Sequence, residues 1–239
     1  MISLNDDFPD LEDQVIEQKA ITLLEGYYNR SIEPKDAPIP VERIAEHYLG
    51  YEIDILANQL YEDPNLLGGI VFEQQVIQVN QAIEDHDGRY NFTIAHEIGH
   101  HVLHRDIYLE KQNSITLIDM CREQGSKPKA EAQADRFAGA ILMPKGLVEA
   151  AIEKTGLAKK LKRIRSVYSV IKMLDQIIVE GAFTNVSKTA VLNRLIFLEY
   201  LPHLPYQRNL ANPSFKHGQK GFSFWLYMFK KNLKKLLRF

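Results

Sequence analysis

The stretch RYNFTIAHEIGHHVLH, residues 89–104, decides how the rest of the chain must be arranged. Ile94, Ile98, Val102 and Leu103 recur at helical spacing and can seat one side of a helix in a core. On that helix His96 and His100 stand four residues apart, so both imidazoles project from nearly the same side and can reach a single ion. Glu97 is too short and wrongly angled to be an obvious ligand; it is placed instead to take a proton from an attacking water. His104 lies on the same side, but at ~1.5 Å per residue its backbone is about 12 Å from that of His96, too far for three imidazoles to converge at bonds of about 2.0–2.1 Å. The third protein ligand must come from another element.

A second helix, KAEAQADRFAGAILMP at 129–144, ends at Pro144 and carries the best candidates. Glu131 and Asp135 are spaced i, i+4, which puts one carboxylate at a metal and the other a turn away, where it can accept the N–H of a bound imidazole. The expected set is therefore Zn²⁺ on His96, His100 and Glu131, with Asp135 behind a histidine. Glu123 and Asp119 are weaker substitutes for Glu131. The ordinary alternative for Glu131 and Asp135 is a solvated acidic face paired with Lys127, Lys129 or Arg136. Gly99 lets another segment approach the first helix closely. A metzincin continuation would need glycine at 103 and histidine at 106, where the chain has Leu103 and Asp106, so that subclass is excluded.

Outward from these helices, residues 51–80 contain YEIDILA, LGGIVFE and QVIQVN, which alternate or run apolar with turn residues Asn65, Gly68 and Gly69 between them, as in a small antiparallel sheet. LEDQVIEQKAITLLEGYYNR at 11–30 and VERIAEHYLG at 41–50 read as helices, and Asp85, Asp87 and Gly88 as the turn into the histidine helix. Residues 159–180 and 187–200 read as two more helices. The order is that of an α+β fold: a small antiparallel sheet, a zincin-like pair of active-site helices, then a mainly helical C-terminal region. Its divisions are an acidic N-terminal helix region at 1–37, a core at 38–150, a helical subdomain at 151–200 and a basic tail at 201–239.

With 45% hydrophobic and 25% charged residues the chain can bury a core, and disorder is not the default. Cys121 is the only cysteine, which excludes an internal disulfide framework and suits a reducing compartment. The acidic start MISLNDDFPDLEDQ lacks the pattern of a secretory signal, and the longest apolar run, FSFWLYMF at 222–229, is far short of a membrane span; a cytoplasmic place is expected. Residues 1–63 carry 15 acidic against 4 basic residues, whereas 201–239 carries 8 basic residues and no acid, which suggests an interaction surface or contact between the ends.

NFTIAHEIGHHVLH followed by EAQADRFAGAILMP resembles the ImmA/IrrE family of zinc metallopeptidases. In that family a Phe-Thr-x-Ala-His-Glu-x-Gly-His helix precedes a Glu-x-x-Ala-Asn/Asp-x-Phe-Ala helix ending in Met-Pro or Leu-Pro. PIPVERIAEHYLGYEIDI, GGIVF, VIQVN and GAFTNVSKTAVLNRL follow the family's order, so the likeness extends over roughly residues 38–200. Asp135 stands where Asn is frequent, and Gly139 where a larger residue is usual. The resemblance implies cytoplasmic, metal-dependent peptide cleavage, often of a helix-turn-helix repressor encoded nearby, in a mobile element or a stress response. It also includes a histidine at 104, for which two places are open: in the cleft, contacting the oxyanion or closing the site, or hydrogen-bonded at the helix end, which is the commoner case. Tyr90 is another candidate oxyanion donor, more commonly a packed aromatic, and His101 points about 100° away from His100.

VEGAFTNVSKTAVLNRLIFLEYL is similar to a helix-turn-helix, with Ser187 as N-cap and a stripe through Val191, Leu195 and Leu198; a packed helical subdomain that supports the site is the commoner reading of such a pattern, and partner or DNA binding the alternative. KTGLAKKLKRIR at 154–165 holds six basic residues, most simply a solvated face. In the tail, LYMFKKNLKKLLRF can form an amphipathic helix with Leu226, Phe229, Leu233, Leu236 and Leu237 on one side, suited to weak surface contact. Two functions follow: a zinc endopeptidase, and a zinc-containing regulatory protein that controls a repressor or toxin without cutting it. The intact Glu97 favours the first.

Overall fold

The computed structural model describes residues 8–57, 67–110 and 129–204. Glu123, Asp119, Cys121, Lys127 and the 205–239 stretch of the tail lie outside the described residues. The fold is α+β, a three-stranded sheet among helices. Helix α1, Asp13–Tyr28, turns Ile16, Ala20 and Leu24 inward at i, i+4 spacing and stops at Asn29, whose φ of 53° is left-handed. A short helix α2, Val41–Arg43, runs on as a π-helical turn, Ile44–Tyr48.

Strands β1 (Glu52–Leu56), β2 (Gly68–Val71) and β3 (Val76–Asn80) follow, in the order β1-β3-β2. The sheet is mixed, which corrects the expected antiparallel pairing. β2 and β3 pair antiparallel, Ile70 opposite Ile77, across a short connection, but β1 pairs parallel with β3, Ile53 opposite Ile77. Parallel neighbours need a long crossover, and here the chain passes through β2 before it returns beside β1. Gly68 and Gly69, expected in a turn, instead open β2. A side-chain carbon on Gly68 would run into the Thr93 methyl of the histidine helix and stand 2.9 Å from the Gln78 carbonyl of β3, so only glycine lets this strand pass so close to both.

Helix α3, Asp87–Glu110, is buried continuously from Thr93 to His100. Helix α4, Lys129–Leu142, packs against it more extensively than any other pair of described elements. Pro144 then opens α5, Lys145–Thr155, and Gly156 ends it with a left-handed backbone. The expected helix at 159–180 is two: α6, Ala158–Leu161, and α7, Val167–Glu180, with Ser166 extended between them. Helix α8, Lys188–Phe197, begins at Ser187, whose hydroxyl accepts from the Ala190 N–H at 3.1 Å.

Buried apolar side chains from Ile16 in α1 to Leu204 form one contiguous core. Arg194 of α8 is buried in it, where its guanidinium grips Glu17 of α1 through both nitrogens and its Nε donates to the Met143 carbonyl at 2.9 Å. The face of α8 that bears Val191 and Leu195 is thereby turned into the core. Among the described residues no helix is long and apolar enough to cross a membrane.

Candidate active site

Two helices supply the site because each carries its polar side chains within an otherwise buried face. On α3, His96, Glu97 and His100 are all at least nine-tenths buried, flanked by Ile94, Ala95 and Ile98. On α4, Glu131 and Asp135 point at them from beside Ala134 and Ala138. His96 Nε2 and His100 Nε2 are 3.0 Å apart. Glu131 reaches both, Oε2 at 3.3 Å from His96 Nε2 and Oε1 at 3.1 Å from His100 Nε2.

These three side chains fit a metal ion. Four ligands at bonds of ~2.05 Å around a tetrahedral ion stand about 3.3 Å from one another, close to the separations found here. Two imidazoles and one carboxylate are the donor set of many hydrolytic zinc sites. Burial lowers the affinity of His96 for a proton, but the Glu131 charge and hydrogen bonds to Asp135 and Glu131 outweigh burial and raise its pKa to about 10. Glu131 is displaced the opposite way; burial raises it, and the His100 and His96 charges and hydrogen bonds pull it well below the usual carboxylate range. A divalent ion would answer the same imbalance that otherwise recruits a proton.

Asp135 Oδ1 lies 2.9 Å from His96 Nδ1, on the edge of the ring opposite Nε2. The solvated acidic face is not the arrangement found: Arg136 turns instead to Asp13, 2.7 Å away. Glu97 faces the same pocket, 5% exposed. Burial pushes its carboxyl up, the His96 and His100 charges oppose this, and Glu131 adds to it.

His104 is 1% exposed and stands behind His100. Its Nδ1 is 3.2 Å from His100 Nδ1 and its Nε2 is 2.8 Å from Gln133 Oε1. Both ring nitrogens are thus engaged within the chain, and the helix runs on past His104 to Glu110. Burial takes its pKa down to about 3, with the His100 charge acting the same way. The Tyr90 hydroxyl donates to Glu42 Oε1 at 3.1 Å. His101 leaves the cluster, its Nδ1 2.8 Å from the Tyr51 hydroxyl.

Gln133 and Pro9 belong to the cluster although no motif marks them, and Gly68 borders it rather than lying in a turn. Gln133 had a signal, because it falls on the apolar side of α4, three residues from Ala130 and four from Phe137, where a polar side chain needs a buried partner. Pro9 had none; its carbonyl accepts from Gln133 Nε2 at 2.8 Å across 124 residues of chain.

A sequence profile for the peptidase family Peptidase_M78, described as the IrrE N-terminal-like domain, matches residues 51–177. The match covers more than half of the chain and contains every residue of this cluster on α3 and α4. No curated protein matches the chain.

Proposed function

Because the chain belongs to the Peptidase_M78 family, whose domain is IrrE N-terminal-like, we propose that it is a cytoplasmic zinc-dependent endopeptidase whose substrate is a helix-turn-helix repressor. The observation that carries the peptidase reading is the buried Glu97 beside three converging donors, His96, His100 and Glu131. The repressor as substrate rests on the resemblance of NFTIAHEIGHHVLH and EAQADRFAGAILMP alone, and the cytoplasmic place on the single cysteine.

His96, His100 and Glu131 would hold the zinc, which would supply Lewis-acid chemistry for a peptide carbonyl and for a water that must attack near neutral pH. The chain's own residues do the rest. Asp135 accepts the Nδ1–H of His96, which holds the ring in the tautomer that leaves Nε2 bare toward the other donors. Glu97 takes the proton of the attacking water and returns it to the leaving amine, a transfer favoured by a carboxylate whose basicity burial has raised. The glycine opening of β2 keeps the space beside Glu97 free of a side chain.

Glu97→Gln tests this reading. The amide keeps the size and hydrogen-bonding capacity of the side chain but not its basicity, so zinc should stay while cleavage falls by at least ~10²–10⁴-fold. Purified chain, with and without zinc, is incubated with the helix-turn-helix proteins encoded beside its gene, and product masses identify substrate and bond. If neither parent nor variant cuts any of them while both regulate the partner equally at matched zinc occupancy, the protein is a regulatory binder and the endopeptidase reading is wrong.

A further inference from the structure

A buried line of hydrogen bonds runs from the N-terminal segment to the metal donors, and it has one consistent direction. It starts at the Pro9 carbonyl, which can only accept. The side-chain NH2 of Gln133 donates to it at 2.8 Å. The same amide therefore presents its oxygen to His104 Nε2, 2.8 Å away, and that nitrogen must carry a hydrogen. His104 is 1% exposed between a neutral amide and an imidazole, a setting in which a cationic ring would be costly. The neutral ring has a single N–H, so its Nδ1 is bare. Across 3.2 Å this bare nitrogen faces His100 Nδ1, which must then be the protonated one. What remains on His100 is an Nε2 lone pair, directed at His96 Nε2 and Glu131 Oε1, 3.0 and 3.1 Å away.

We propose that His104 and Gln133 are positioning residues of the metal site: anchored on the Pro9 carbonyl, they hold His100 in the tautomer that turns its Nε2 lone pair to the metal. This rests on the metal reading above. The two histidine ligands are then oriented by different means. His96 leans on a carboxylate, Asp135, whereas His100 leans on a neutral imidazole and amide, so His100 is oriented without adding another negative charge to the pocket. Phe8 holds the relay from outside, its ring 5.3 Å from that of His104, nearly perpendicular to it and almost fully buried. A histidine on a third turn of the helix, too far along it to be a ligand, thereby has a role in the site.

The tautomers can be read directly from the ring nitrogens of the full-length, histidine-labelled (¹⁵N) chain loaded with zinc. His104 should show a protonated Nε2 and a bare Nδ1, and His100 a protonated Nδ1. Gln133→Leu and His104→Leu should each lower zinc affinity by about 10–100-fold, the usual scale for an outer partner of a ligand. His104→Asn keeps an acceptor for His100 and a donor for Gln133, and should restore most of that loss. A parent protein with His104 protonated on Nδ1 overturns the proposal, and that reading needs no variant to fold. So does parental zinc affinity in both leucine variants. A parent that takes up no zinc at all overturns the metal reading, and this inference with it, whereas zinc bound normally at His96, His100 and Glu131 with an indifferent Gln133 overturns the inference alone.

Discussion

A side-chain carbon placed on Gly99 of α3 would stand 3.1 Å from Ala134 Cα and 3.2 Å from the Ala134 carbonyl of α4, so these two residues set the separation of the helices that carry the site. The contact is with backbone, which cannot swing aside. Helix propensity favours alanine over glycine by about 1 kcal/mol, while overpacking of this kind costs about 1–3 kcal/mol. Gly99→Ala should therefore lose up to about 2 kcal/mol in denaturant unfolding, and its zinc affinity should fall with it because Glu131 and Asp135 ride on the displaced helix. A variant as stable as the parent, with unchanged zinc affinity, would show that the helix spacing is not set here.

Gly139 provides the contrast. A carbon there would meet only Arg194 Cδ, at an ordinary 3.9 Å, inside α4. Gly139→Ala should raise stability by up to about 1 kcal/mol and leave metal binding alone. A lower melting temperature would mean that this face of α4 needs the gap.

Glu131→Gln should reduce zinc occupancy sharply, since the amide offers no charge to the ion and disturbs the pairing with both histidines. Asp135→Ala should be milder, by about 10–100-fold in affinity. Metal analysis of both, with Glu123→Gln beside them, decides the third ligand. Full zinc in Glu131→Gln and loss of it in Glu123→Gln would move the assignment to Glu123.

Removal of the metal should cost stability as well as activity, because an ion bound only by the folded chain contributes by mass action. At free zinc about 100 times the dissociation constant the gain is about 2.7 kcal/mol, so melting with a chelator should be clearly lower than melting with zinc. Identical curves would argue against a site formed by α3 and α4 together.

Arg194→Met should destabilise by about 3 kcal/mol in denaturant unfolding, since it leaves the Glu17 carboxylate largely buried without its partner and the Met143 carbonyl without its donor. Replacement of Glu17 and Arg194 together by apolar residues should recover much of the loss. A single variant within about 0.5 kcal/mol of the parent would show that the pair does not fasten α1 to α8.

The parts legible in the sequence were those governed by local geometry. Residues four apart on a helix share a side whatever the helix packs against, so His96 with His100, and Glu131 with Asp135, could be paired from spacing, and the length of the helix sufficed to set His104 apart as a ligand. Pro144 ending a helix and Ser187 starting one are equally local. Contacts between distant segments decided the rest. Whether β1 met β3 parallel or antiparallel depended on the path of the chain between them, because the alternation of apolar residues along a strand is the same in either direction. That Gln133 would find the Pro9 carbonyl, 124 residues away, that His104 would meet Gln133 of the other helix, and that Tyr90 would be held by Glu42 depended on which helix faces came together, a matter of packing between distant segments that no spacing along one element encodes.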